Sequence, residues 1–261
     1  MDPVTYWAAL FLVGLAIGFF SGLSGIGGAV LLAPTLVLGL PAIGGPLLAG
    51  RTVTSLDMAQ AFSAGIAATP VYWKARELDP ALIRTMGSAA VVGGAMGAGV
   101  LRLIPARGYL LIFLGLTSLG LITVAMPAMA RADRSAARSW AWPVLATSIG
   151  LCVTFFGSLA GSSGSFLLSP AANRLLGVPF RRAVGSVMTV VMVGAAANLA
   201  ARVLLGPFPW LLAALVSLPA AQAARVGARV SVRAPVALIR AALGILLLAA
   251  SIMLCQKVLA G

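Results

Sequence analysis

Apolar residues run from Trp7 to Leu40, and one stretch, Gly22-Leu-Ser-Gly-Ile-Gly-Gly28, interrupts them. Gly25, Gly27 and Gly28 release the backbone from ordinary φ limits and disfavour a continuous helix. Pro34 and Pro41 punctuate the residues after the break. Further apolar runs predict helices over Gly50–Thr69, ending at Pro70, then Ala81–Leu101 and Tyr109–Met126. A second broken segment, Trp140 to Leu176, precedes runs near Ala183–Leu205, Trp210–Ala224 and Pro235–Leu254. Runs of this length, repeated, predict an all-α polytopic membrane protein.

The two broken segments align without a gap. Phe156 to Pro170 lies over Phe20 to Pro34, so that Gly161 falls on Gly25, Gly164 on Gly28 and Leu167-Leu168 on Leu31-Leu32. Gly177-Val-Pro179 answers Gly39-Leu-Pro41, and Arg182 to Ser186 answers Arg51 to Ser55. Three matches in one order predict an internal duplication: a first membrane repeat over residues 1–130, a basic cytoplasmic linker over 131–139 and a second repeat over 140–261. As continuous helix, Tyr6 to Leu40 is about 50 Å long against a hydrocarbon core of about 30 Å, too long for one span and short for two. A re-entrant hairpin fits that length.

The charges favour the same arrangement. The 261 residues are 61% hydrophobic and 9% charged, with a net charge of +13. In a soluble chain such a charge points to nucleic acid; here the cations sit in short loops, where they orient the protein and meet anionic lipid. With both broken segments re-entrant, Lys74, Arg76, Arg84, Arg131, Arg134, Arg138, Arg174, Arg181, Arg182, Arg225, Arg229 and Arg233 collect on one side, and Arg240 reaches toward it. Arg51, Arg102, Arg107, Arg202 and Lys257 stay on the other. The positive-inside rule makes the crowded side cytoplasmic. Each repeat then has a broken hairpin and three spans, so the repeats are inverted and both termini face the periplasm of a bacterial inner membrane. Asp2 and the lack of a basic leader make Trp7–Phe20 mature structure rather than a signal peptide.

Chemistry-bearing residues are few. Histidine is absent, and Cys152 and Cys255 stand alone in apolar surroundings as packing residues. No cofactor or metal is expected, and an enzyme lacks converging carboxylates, histidines or thiolates. Helix starts after a glycine break aim unpaired N–H groups at an anion. The candidate substrate-binding groups are therefore Ser24, Gly25, Gly27, Gly28 and Ala29 at the first break. Gly161, Ser162, Ser163, Gly164 and Ser165 are their counterparts at the second. The same glycines also suit tight helix packing. Pseudo-symmetry predicts Thr54, Ser55 and Ser186 near the centre. Asp57, with Gln60 three residues on, is a carboxylate within an apolar span, a position usually tied to function. It can carry a coupled proton or pair with an arginine such as Arg51. Asn198 and Arg202 are read as a pair fixing helix packing near the membrane edge. Trp140, Trp142 and Trp210 are interfacial anchors. Gly93-Gly-Ala-Met-Gly97 suits a homodimer contact or internal packing equally.

Taken in order, these motifs resemble the sulfite exporter TauE/SafE family of bacterial anion transporters. The likeness rests on Ser21 to Gly28 with Pro34, Thr54-Ser-Leu56, Ser63-Ala-Gly65 and Leu78-Asp79. It continues through Gly93 to Gly99 and Ile104-Pro105 to the second, weaker Gly-rich break. The resemblance implies export of sulfite, a sulfonate or a related organosulfur anion. Two departures are Ala29, where the family has a third glycine, and the serines of Gly157 to Ser165, which line the expected site. An anion-selective channel, or an uptake permease for a related oxyanion, is the alternative reading; a non-transporting subunit has no use for a broken, polar backbone at membrane depth.

Overall fold

The computed structural model describes residues 2–25, 28–125, 141–160 and 164–259, and among them every regular element is helical. The chain opens with α1 (Pro3–Ser24), breaks, and resumes as α2 (Ala29–Pro34), a π-helical turn (Thr35–Gly39) and α3 (Leu40–Ala42). Three long helices come next: α4 (Gly50–Lys74), α5 (Pro80–Val100) and α6 (Ala106–Ala125). The second half has α7 (Ala141–Leu159), a break, α8 (Ser165–Leu175), and then α9 (Phe180–Leu205), α10 (Trp210–Arg233) and α11 (Val236–Leu259). The basic linker over 131–139, and Trp140 with it, lie outside the described residues.

Among the described residues, six helices are long and apolar enough to cross a membrane: α1, α5, α7, α9, α10 and Val236–Met253 of α11. This makes the chain a multi-pass membrane protein. Two boundaries differ from expectation. Pro70 does not end its helix, because α4 continues to Lys74 with the proline inside it. Likewise α10 runs nine residues past Ala224 and carries Arg225, Arg229 and Arg233 on its final turns. Asp79, directly before Pro80, caps α5, accepting hydrogen bonds from the N–H groups of Ala81 and Leu82 at 3.0 and 3.2 Å.

Small residues decide how the helices pair. Gly14, Gly18 and Gly22 of α1 lie against Val216, Ala220 and Ala224 of α10, while Gly227 returns the contact against Phe19. Gly93 and Gly97 of α5 lie against Thr154 and Ser158 of α7, and Gly94 faces Gly194 of α9. The Gly93–Gly97 run is thus used for internal packing. Backbones this close gain dispersion contacts where lipid offers no hydrophobic drive between helices. The pairings exchange the two halves. Helix α1 packs on α10 as α7 packs on α5, and α4 packs on α10 as α9 packs on α5.

The same contacts give directions. Residues of α1 and α10 match in ascending order, as do those of α4 and α10, where Ser63 meets Ser217 and Tyr72 meets Ser231. Ascending order also relates α5 to α7 and α9. Between α4 and α9 the order reverses: Gly65 meets Met192, Thr69 meets Thr189, and Tyr72 meets Gly185. So α1, α4 and α10 run one way, and α5, α7 and α9 the other. Because α1 and α4 leave from the same end, the chain between them returns to it. By the same reasoning α8 brings the chain back to where α7 began. Its C-terminal turn is held there: Asn173 donates to the Val178 carbonyl and accepts from Arg240, whose guanidinium stands over the Phe180 ring.

One end of the bundle therefore gathers Lys74, Arg76, Arg84, Arg181, Arg182, Arg229, Arg233 and Arg240. At the other end, among the described side chains, are Arg51 and Arg202. Both ends of the described chain lie there too. The cysteines do not pack in the core; Cys152 and Cys255 are exposed on the bundle's outer surface. An apolar outward face is compatible with lipid, so burial is not needed to place a thiol there.

Helix pairing through glycine predicts a large asymmetry between two substitutions. A Cβ at Gly18 collides with the Ala220 carbonyl oxygen, whereas a Cβ at Gly50 meets nothing within 4 Å. Gly18→Val is expected to cost about 1–3 kcal/mol, because the obstruction is backbone and cannot rotate away. Gly50→Ala is expected to be neutral or slightly stabilising. Thermal unfolding of the two variants in the same detergent checks this; equal melting temperatures contradict the packing.

Candidate functional site

The first break is built by two left-handed glycines. Gly25 ends α1 at φ 70°, its N–H donating to the Ser21 carbonyl at 2.9 Å, and Gly28 opens α2 at φ 77°. Only glycine adopts such angles without strain. Ser24 turns its hydroxyl back onto the Phe20 carbonyl at 2.6 Å. Leu31 and Leu32 donate to the Gly28 carbonyl, so α2 starts with no side-chain cap and with the first N–H groups, from Ala29 onward, at the break.

The second break repeats the device. Gly164, at φ 64°, opens α8 without a side-chain cap, and its carbonyl accepts from Leu167 at 3.0 Å. A Cβ there would collide with the Val153 carbonyl. Ser165 is buried. Gly27, Gly161, Ser162 and Ser163 lie outside the described residues.

Two placements correct the expected geometry. Thr54 and Ser55 do not meet Ser186 at the centre. Thr54 bonds Arg202 near one end of the bundle, and Ser186 accepts the Asp79 N–H near the other. Ser186 and Arg202 are separated by roughly 24 Å of rise along α9. The cause is the antiparallel packing of α4 and α9, which sends equivalent N-terminal positions to opposite ends. The first arms also overshoot one another. Gly25 abuts Val184 while Ser158 bonds Asn198, roughly 20 Å further along α9. The second arms then turn back, and Val30 and Phe166 share one apolar core with Tyr72 and Met188. That core is anchored by the Tyr72 hydroxyl, which donates to the Gly22 carbonyl at 2.6 Å.

Asp57 and Gln60 lie on α4 beside the first break and are fully buried. Gln60 presses its carboxamide oxygen against Gly28, leaving no room for a Cβ there. Among the described residues, neither the Asp57 carboxylate nor the Gln60 amide has a hydrogen-bond partner. The cation whose field reaches Asp57 is Arg202, not Arg51. Arg51 is exposed at the start of α4.

Asn198 and Arg202 fix helix packing near one end of the bundle, as read from the sequence, and do so through more partners than the pair alone. The Arg202 Nε donates to the Asn198 carboxamide oxygen at 2.5 Å, and its Nη1 donates to the Thr54 hydroxyl at 2.6 Å. Asn198 also donates to the Gly94 carbonyl at 3.0 Å and to the Ser158 hydroxyl, which itself donates to Gly94. This one cluster ties α4, α5, α7 and α9. The signal was an arginine four residues after an asparagine inside an apolar run, a spacing that puts both on one helix face. Beside it opens a cleft of about 40 Å³ lined by Arg51, Ser55, Ala98, Leu101, Arg202, Leu205, Gly206 and Pro207.

The family model described as Sulfite exporter TauE/SafE matches residues 10–254. No curated protein and no solved structure matches the chain.

Removing Asn198 leaves the Arg202 Nε, the Ser158 hydroxyl and a Gly94 carbonyl short of a partner at once. Asn198→Leu is therefore expected to destabilise by about 1–3 kcal/mol, more than Thr54→Val, which removes one acceptor. Thermal unfolding in detergent orders the two; a milder Asn198→Leu contradicts the network.

Proposed function

The chain belongs to the Sulfite exporter TauE/SafE family, and from that premise we propose that it is a secondary transporter carrying a small sulfur oxyanion, sulfite or an organosulfonate, out across the bacterial inner membrane. The family match over residues 10–254 supports membrane anion transport as the class of activity. The finer reading is that two inverted repeats, 1–130 and 140–261, work by alternating access around the two glycine breaks. The reversed helix directions and the exchanged pairings of the halves support it. The basic end faces the cytoplasm in this reading, and both termini face the periplasm.

The substrate contacts we assign are the N–H groups opening α2 and α8, at Gly28, Ala29, Gly164 and Ser165, with Ser24 and Gly25 flanking. Gly27, Gly161, Ser162 and Ser163 complete the breaks by their place in the sequence. A helix start attracts an anion without burying a full positive charge. Thr54, Ser55 and Arg51 belong to the approach from the end opposite the basic face, and Ser186 to the support of the loop before α5.

The observation that carries the coupled mechanism is the buried Asp57 and Gln60, Gln60 set against Gly28 and Asp57 one turn before it on α4, both without protein partners among the described residues. An unpaired carboxylate at membrane depth is costly unless function retains it. Charged, it repels an anion from the neighbouring break; protonated, it does not. A proton taken up at Asp57 therefore admits the anion, and its release expels the anion.

Flux of sulfite, thiosulfate, sulfonates and carboxylates through proteoliposomes, with and without a pH gradient, tests this reading. Saturable flux of a sulfur oxyanion that responds to the gradient is expected. Asp57→Asn is expected to flatten the pH dependence. Unchanged pH dependence removes Asp57 from coupling, and no sulfur-oxyanion flux in the wild type overturns the assignment.

A further inference from the structure

We propose that the cleft between the start of α4 and the end of α9 is a second oxyanion station, a vestibule site lying apart from the glycine breaks. Two arginines from different helices converge on it. Arg51 is exposed at its rim and Arg202 is 9% exposed at its floor. The Ser55 hydroxyl also lines the cleft, its proton donated to the Arg51 carbonyl at 2.8 Å, so the arginines are the groups that attract an anion. Every other described residue lining the cleft is apolar or glycine, and none is acidic. Two guanidinium groups lining one small cavity give it a positive potential that favours an oxyanion. The cleft volume of about 40 Å³ admits roughly two or three waters, the scale of a small pyramidal or tetrahedral anion.

Arg202 is held ready for that role. Asn198 and Thr54 take its Nε and Nη1 and fix the plane of the guanidinium, so little side-chain freedom is lost when an anion arrives. Position supports the assignment as well. The cleft is at the end poor in cations, where a general lipid-facing charge is least needed. The network at its floor extends through Asn198 to Ser158, one turn before the second break. The field of Arg202 also reaches Asp57, so an anion held at the vestibule weakens the attraction between that arginine and the carboxylate. The inference rests on the anion-transport reading and adds a station to its path.

The test is sulfite binding to the purified full-length protein in detergent, by titration calorimetry, at two ionic strengths. Arg51→Gln is the informative variant because an exposed side chain at a helix start is replaced without disturbing the fold. Lys74→Gln, at the opposite end of the same helix, removes the same charge away from the cleft. Losing one charge-assisted contact is expected to raise Kd roughly tenfold in Arg51→Gln and to leave Lys74→Gln near the wild type. Arg202→Lys, which keeps the charge and loses the fork, is expected to weaken binding as well, with melting temperature measured alongside. Equal Kd for Arg51→Gln and wild type overturns the vestibule while flux through proteoliposomes keeps the transport reading intact. Equal weakening in Lys74→Gln overturns it too, by assigning the effect to net charge. No sulfite binding and no flux in the wild type overturns both.

Discussion

Hydrocarbon offers no hydrogen bond to an amide that leaves a helix, and this constraint explains most of what the chain does. Two breaks in otherwise apolar helices must be enclosed by protein or open onto a polar cavity. Both are enclosed closely. Gly25 lies on the Val184 carbonyl, Gly28 on Gln60 and Gly164 on Val153, contacts that leave no room for a side chain. The bundle is assembled so that each break is surrounded by helices from both halves. The first arm of each hairpin packs on the other half of the sequence.

Interlocking of this kind has a consequence for motion. A half cannot move as a unit without carrying the opposite first arm along its small-residue seam. The seams along α1–α10 and α5–α7 are backbone to backbone, which makes them stiff. The α4–α9 contact is where the halves meet head to tail. The Thr54–Arg202–Asn198 cluster lies toward one end of it. In the alternating-access reading proposed above, the rearrangement acts on that contact.

Much of this was legible in the sequence. Hydrophobic run length located every long helix, and the gapless repeat of Phe20–Pro34 at Phe156–Pro170 located both breaks. What periodicity missed was depth. Inverted repeats already make α4 and α9 antiparallel, but how far they slide past one another, which carries Ser186 away from Thr54, depends on both helices together. Pro70 suggested a helix end, but a proline in the last turn of a membrane helix is tolerated when neighbours cover the freed carbonyl. Arg202 was legible as a packing residue near an edge, but its partners, Thr54 and the Asn198–Ser158–Gly94 set, come from four helices and could not be read from one run of sequence. The cysteines are exposed since an outward apolar position and a buried one look the same in a chain where lipid is the solvent.

The central claim is that an anion is held by the amides opening α2 or α8. Its most direct test is a crystal structure with selenite, the heavier analogue of sulfite, and an anomalous difference map. The account predicts a peak within hydrogen-bond distance of the N–H groups at 28–30 or 164–166. A map in which the analogue is bound elsewhere on the protein and both helix starts are closed against it contradicts the account.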